Sequence, residues 1–98
     1  MQTAPKRCVG GVLFPLGRIL ITPGALEALT NGDVQEALGR HASGDWGELS
    51  AADLQENKLS LEQGFRLLSS YRSAAGTKFW IITEADRSAT TVLLPDEY

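Results

Sequence analysis

The spacing of apolar residues changes period twice along this chain. Arg18-Ile19-Leu20-Ile21-Thr22 is short and rich in branched side chains, which predicts a strand, and Val9–Phe14 predicts another before it. Pro15-Leu16-Gly17 predicts a turn between them, so the two can pair as a hairpin, with Gly10-Gly11 weakening the first arm. From Thr22 the pattern becomes helical. Thr22 can cap free amides, and Pro23 fits the first helical position because its missing N–H would go unpaired there anyway. This predicts a short helix over Pro23–Thr30, stopped by Asn31-Gly32. Asp33, with Glu36 three residues on, predicts the cap of a second helix whose inner face is Val34, Ala37, Leu38 and His41. Ser43–Gly47 reads as a loop. Ser50 and Asp53 open a third helix that Gly64 ends. Leu54 and Leu61 lie on its inner face with Asn57 between them, and a buried Asn57 requires partners.

After Gly64 the alternation has period two. Residues 65–72, 77–85 and 89–94 predict strands separated by turns at Ser73–Gly76 and Asp86–Ser88, and Pro95 ends the last. The predicted fold class is α+β. A single domain over residues 1–98, with 1–7 as a loose tail, has an N-terminal strand or hairpin, two to three short helices and a three-stranded antiparallel meander. A four-residue first turn and a three-residue second turn pair Ser69 with Trp80 and Glu84 with Thr90. Phe65, Leu67, Trp80, Ile82, Val92 and Leu94 then form a floor beneath the helices. The other face carries Arg66, Leu68, Phe79, Ile81, Thr83, Thr91 and Leu93; it is half apolar and needs cover from the hairpin or from a partner. A slip of one residue in either turn exchanges faces.

Composition narrows the possible chemistry. Of 98 residues, 43% are apolar and 21% charged, which is ordinary for a folded domain. Nine basic against twelve acidic residues give a net charge of -3, which disfavours nucleic-acid binding by charge alone. One Cys and one His exclude a disulfide framework and a Cys/His zinc site within one chain, and no metal or other cofactor is expected. No apolar stretch approaches the length of a membrane span, and the basic start before Cys8–Leu16 does not read as a secretory signal. The lone Cys8 suits a reducing compartment, so a cytoplasmic protein is expected.

The densest polar cluster lies around the second turn: Arg66, Thr83, Glu84, Asp86, Arg87, Thr90 and Thr91. One reading is a solvated turn with a surface ion pair. The other is an anion site in which Arg66 and Arg87 fork a phosphate, Thr83, Asp86 and Thr91 line it, and Glu84 serves as acid or base. His41, oriented by Asp45, is a second acid–base candidate; a core or helix-end histidine is the plainer reading. Trp46 between two glycines reads as a binding anchor or as a plug over the core edge, and Trp80 as core. The chain has no Gly-x4-Gly-Lys phosphate loop, no Gly-x-Ser-x-Gly elbow and no acidic calcium loop.

Several segments together carry a resemblance. Phe14-Pro15-Leu16-Gly17-Arg18-Ile19, Thr22-Pro23-Gly24-Ala25, Arg40-His41 with Gly44-Asp45-Trp46-Gly47, and Trp80–Ser88 followed by Thr90-Thr91 and Leu94-Pro95 resemble a family of small proteins on bacterial plasmids and integrative elements. Its members are labelled plasmid-related or type I restriction endonuclease subunit M. The chain has no Asn-Pro-Pro-Tyr-type methylation motif, so the resemblance implies a mobile-element setting and no catalytic residue. The predicted topology is also similar to that of the RelE/ParE-like toxins, in which Arg66, Tyr71, Arg87 and His41 would supply ribonuclease groups; the acidic balance departs from that pattern. The leading expectation is an accessory protein that binds a protein partner through its half-apolar sheet face and the Trp46 loop, with a homodimer as one form. The alternatives are a metal-independent ribonuclease, with His41 or Glu84 as base, and a small-ligand sensor on the Arg66–Thr83–Thr91 face.

Overall fold

A threonine hydroxyl opens each of the first two helices and a serine the third. The structure, a computed structural model, describes residues 12–98. Thr22 accepts from the Ala25 N–H at the start of α1 (Pro23–Ala28). Thr30 accepts from the Asp33 N–H at the start of α2 (Asn31–Ala42), and the Asp33 carboxylate accepts from the Thr30 N–H, each at 3.1 Å. Asp33 is therefore the third residue of α2 rather than its cap, and Asn31-Gly32 begin this helix rather than end the previous one. The reciprocal pair satisfies two otherwise orphaned amides, which a cap at Asp33 would leave free. Ser50 accepts from the Asp53 N–H at the start of α3 (Ala51–Gln63), and Gly64, in the left-handed region at φ 80°, ends it.

Among the described residues four strands follow from the alternating segments: β1 (Arg18–Ile21), β2 (Leu67–Arg72), β3 (Lys78–Thr83) and β4 (Ala89–Leu93). They form one mixed sheet in the order β1-β4-β3-β2. β2–β3 and β3–β4 are antiparallel, while β1 lies parallel to β4. The expected three-stranded meander is thus only part of a single α+β domain with a four-stranded sheet. The expected tail over 1–7, the Cys8 thiol and residues 9–11 of the expected first strand lie outside the described residues; Val12–Phe14 belong to no strand.

Both hairpins are offset by one residue from the expected register. The first closes with the Ser73 N–H on the Thr77 carbonyl, leaving Ala74-Ala75-Gly76 as a three-residue loop with Gly76 at φ 89°. This loop length is met by a turn followed by a left-handed glycine. The second closes with the Glu84 N–H on the Ala89 carbonyl around four residues. Ser70 therefore faces Trp80, Thr83 faces Thr90 and Ile81 faces Val92. The two offsets cancel on β4 and leave β3 alone reversed. Phe79, Ile81 and Thr83 turn toward the helices, and Trp80 and Ile82 turn away.

The helix-side face carries Leu67, Ser69, Tyr71, Phe79, Ile81, Thr83, Thr90 and Val92. Tyr71, Phe79, Ile81 and Val92 pack with Ala25 and Leu29 and with Val34, Ala37 and Leu38 of α2. The second face is covered in part by the C-terminal turn Pro95–Glu97 and Tyr98. The Tyr98 ring meets Trp80 edge-on, 5.8 Å between centroids, and Arg66 Nη1 donates to the Tyr98 hydroxyl at 2.7 Å. The Glu97 carboxylate fastens this turn to the start of α1 by accepting from the Thr22 hydroxyl and from the N–H groups of Gly24 and Leu94.

The outer edge of β2 is closed at Leu68 and Ser70 without a further strand. The Asn57 side-chain amide donates to the Leu68 carbonyl at 2.6 Å and accepts from the Leu68 N–H at 3.1 Å. Ser70 then bonds the Trp46 carbonyl and the Glu48 N–H as Gly47 lies alongside in parallel. Only a glycine fits at 47, because an added Cβ would stand 2.0 Å from the Ser70 carbonyl oxygen. The inward Asn57 thus acts as a one-residue strand.

Candidate functional site

His41 sits in the last turn of α2, whose inner face buries Val34, Ala37, Leu38 and Ala42. Its imidazole is wholly buried between β2 and β3. Nδ1 lies 2.5 Å from Ser69 Oγ, and Nε2 lies 2.8 Å from Thr83 Oγ1. Thr83 Oγ1 is 2.8 Å from Thr90 Oγ1, and Thr90 donates to the Leu16 carbonyl at 2.7 Å. That final carbonyl can only accept, which fixes the direction of the whole chain for a neutral ring. Thr90 spends its proton on Leu16, Thr83 donates to Thr90, His41 Nε2–H donates to Thr83, and Ser69 donates to Nδ1. Burial, and then the positive charge of Arg87, push the His41 pKa down to about 4, so the ring is neutral near pH 7.

The aromatic wall around it explains Trp46. Phe14 and Trp46 stack at 6.1 Å, and each meets the His41 ring edge-on, at 5.3 and 5.5 Å. Asp45 does not orient His41. Its carboxylate takes a forked pair of bonds from Arg40, at 2.8 and 3.2 Å, and accepts from the Gly47 N–H. The Arg40 pairing holds Asp45 below the usual carboxylate range. The Tyr71 hydroxyl donates to the Asp45 carbonyl, and burial raises its pKa to about 12.

The expected polar cluster at the second turn is taken apart by the register. Thr83 and Thr90 point into the core, whereas Thr91 lies on the opposite face. Arg87 occupies the left-handed region at φ 62°, at a cost of roughly 1–2 kcal/mol for a residue with a Cβ. Its guanidinium donates to four backbone carbonyls: Phe65 at 2.6 Å, Glu84 and Ser60 at 3.1 Å, and Ala85 at 3.2 Å. Two of these, Ser60 in the last turn of α3 and Phe65 just past its Gly64 cap, let Arg87 tie that helix to the turn. Asp86 accepts from the Ser88 N–H within the same turn. Arg66 lies outside, against Tyr98, with Glu84 4.0 Å from its Nε. No phosphate fork forms from Arg66 and Arg87, because the second is engaged with carbonyls.

A polar cleft of about 200 Å³ lies between α2 and the first hairpin, and of its charged groups Asp33, Arg40 and Arg72 are committed locally while, among the described residues, Glu36 is not. Asp33 accepts from Thr30 and Ala74, and Arg40 binds Asp45 and lies over the Tyr71 ring. A larger groove of about 510 Å³ runs between β1 and α2. Leu16, Ile19, Ile21, Val34 and Leu38 line it, Asn31, Gln35 and Gly39 rim it, and among the described residues no charged side chain lines it. Val12, Leu13, Leu20 and Leu26 are exposed as well. The strand signal at 18–22 located one wall and the helical spacing of Val34 and Leu38 the other; their facing each other depends on the parallel β1–β4 pairing, which leaves no local trace. Ser69 was also missed, although its in-phase position between Leu67 and Tyr71 marks a polar group on a core face. Among the described residues, no three His, Cys, Asp or Glu side chains gather as metal ligands, and no helix is long and apolar enough to cross a membrane. No protein-family model matches the chain, and neither a curated protein nor a solved structure matches it.

Proposed function

We propose that this chain acts by binding a protein partner, as an accessory module in the mobile-element setting that its sequence resemblance implies. The observation that carries the reading is the groove of about 510 Å³ between β1 and α2, uncharged among the described residues, with apolar side chains exposed around it. Contiguous apolar surface on so small a domain marks a contact site. The polar candidates have structural employment instead: His41 is enclosed by Phe14 and Trp46, and Arg87 is bonded to carbonyls. The ribonuclease alternative therefore draws no support from His41, which has no path to a solvent-borne phosphate ester. Trp46 contributes to the core edge and Tyr98 covers part of the second sheet face, so the contact surface moves from that face and the Trp46 loop to the β1–α2 rim.

Gly39 supplies the test. It rims the groove, it is exposed, and a Cβ added there would meet no atom within 4 Å. Gly39→Lys thus fills the mouth of the groove without disturbing the core. The full chain serves as bait in a bacterial host with photo-crosslinking and mass spectrometry. A specific host protein enriched by the wild type and reduced at least about ten-fold by Gly39→Lys is the expected outcome. Equal recovery by both baits, or no specific protein in repeated captures, refutes the reading.

A further inference from the structure

The two edges of the sheet are treated differently. On β2 the outward-facing groups of Leu68 are satisfied by the Asn57 amide and those of Ser70 by Trp46 and Glu48. On β1 the Arg18 N–H bonds the Ser88 carbonyl and the Thr22 N–H bonds the Val92 carbonyl. Residues 18, 20 and 22 therefore face β4, and alternation turns the N–H and C=O groups of Ile19 and Ile21 outward. Among the described residues nothing bonds them. β1 is short and has one charge, Arg18 at its start, but no proline or bulge interrupts Ile19-Leu20-Ile21. Ile19, Leu20 and Ile21 are 42%, 40% and 36% exposed.

We propose that β1 pairs antiparallel with β1 of a second copy of this chain, joining two four-stranded sheets into one of eight strands about a two-fold axis at Leu20. This rests on the reading of the β1–α2 rim as a binding surface and names a second copy as the occupant of its strand edge, the groove staying open to the host partner. Three observations select that occupant. The outward groups of Ile19 and Ile21 complement those of the same strand reversed: Ile19 opposite Ile21 of the partner, twice, forms four hydrogen bonds and leaves none of these groups unpaired. The registers on either side would oppose Ile21 to Gly17, at φ 66°, or Ile19 to Pro23, which has no N–H. On the helix side Ile19 and Ile21 of each copy meet their counterparts, which extends the apolar groove wall across the axis. On the opposite side charge is complementary. Arg18, which has no ion-pair partner among the described residues, falls opposite Thr22 of the second copy, and the Thr22 hydroxyl holds the Glu97 carboxylate. Two Arg18–Glu97 pairs flank the axis.

Leu20 lies at the axis on the face away from the groove, as a non-hydrogen-bonded pair with its own counterpart. Sedimentation equilibrium of the purified full chain is expected to show a reversible monomer–dimer equilibrium. Leu20→Lys places two like charges directly opposite and is expected to weaken the dimer at least about ten-fold, with the circular dichroism of the monomer retained. Crosslinking is an independent reading. Facing residues in such a pair stand about 4.5 Å apart at Cα, within the range a disulfide spans, so oxidised Leu20→Cys in a Cys8→Ser background is expected to give a covalent dimer. A monomer at every concentration without crosslinking overturns the proposal, as does a dimer indifferent to Leu20→Lys that fails to crosslink at 20. An edge occupied by residues 1–11 of the same chain produces the first of these results. Because the protein is tested alone and Leu20 is outside the groove lining, failure here leaves the host-capture outcome with Gly39→Lys untouched.

Discussion

The buried His41 makes stability depend on pH over a defined window. The perturbation is acidification from pH 7.5 to 4.5. His41 titrates at 6.5 when unfolded and at about 4 when folded, so between these values the unfolded chain binds the extra proton. Stability contributed by the neutral ring is complete above pH 6.5 and is lost as pH falls toward 4. Two and a half units are worth about 3.4 kcal/mol in total, and the span from pH 7.5 to 4.5 captures about 2.5 kcal/mol of it. Asp33, Asp45, Asp86 and Glu97 all titrate below their usual range, so their contributions are lost mainly at lower pH. The assay is urea denaturation at half-unit steps of pH, for the wild type and for His41→Gln, with ¹⁵N spectra of the imidazole. The wild type loses about 2.5 kcal/mol and the variant, less stable at pH 7.5, is nearly flat. The spectra place the proton on Nε2, as the directed chain to the Leu16 carbonyl requires. Equal slopes for both proteins, or a measured pKa above 6, refutes the account of the cavity.

Three further outcomes separate structural from functional roles. Arg87→Ala removes donors from four carbonyls and is expected to cost about 2–3 kcal/mol in urea denaturation, with Arg87→Lys recovering little because an ammonium cannot reproduce the fork. Asn57→Ala leaves the Leu68 amide and carbonyl without their side-chain partner and is expected to cost about 2 kcal/mol, with faster hydrogen exchange at Leu68 than at Leu67. Gly39→Ala, in an open helical position, is expected to stabilise the fold by about 0.5–1 kcal/mol, measured as a rise in denaturation midpoint.

Elements declared by local chemistry were legible. Thr22-Pro23, Ser50 and Gly64 mark helix ends through bonds made within four residues, so their sequence signatures suffice. Thr30 and Asp33 show the limit of that logic, since each can accept from a helix start and only the reciprocal box decides between them. Register is a different kind of quantity. One residue in the loop after Ser73 reverses β3, moving Thr83 inward to His41 and Trp80 outward to Tyr98, and the anion site expected at the second turn dissolves with it. The role of Arg87 was hidden because its acceptors are backbone carbonyls, which every residue carries. Asn57 was legible as a demand for partners, though not which ones, because Leu68 reaches it only through the fold.

The parallel pairing of β1 with β4 also sets the order in which the molecule can be made. Arg18–Ile21 acquires its hydrogen-bonded neighbour only when residues 89–92 exist, so most of the chain must leave the ribosome first. Until then the apolar run Ile19-Leu20-Ile21 has no strand beside it to pair with. Contacts so distant along the chain slow folding. A nascent or shortened chain stopping before Ala89 would therefore be the species that chaperones and proteases meet, whatever the stability of the finished domain.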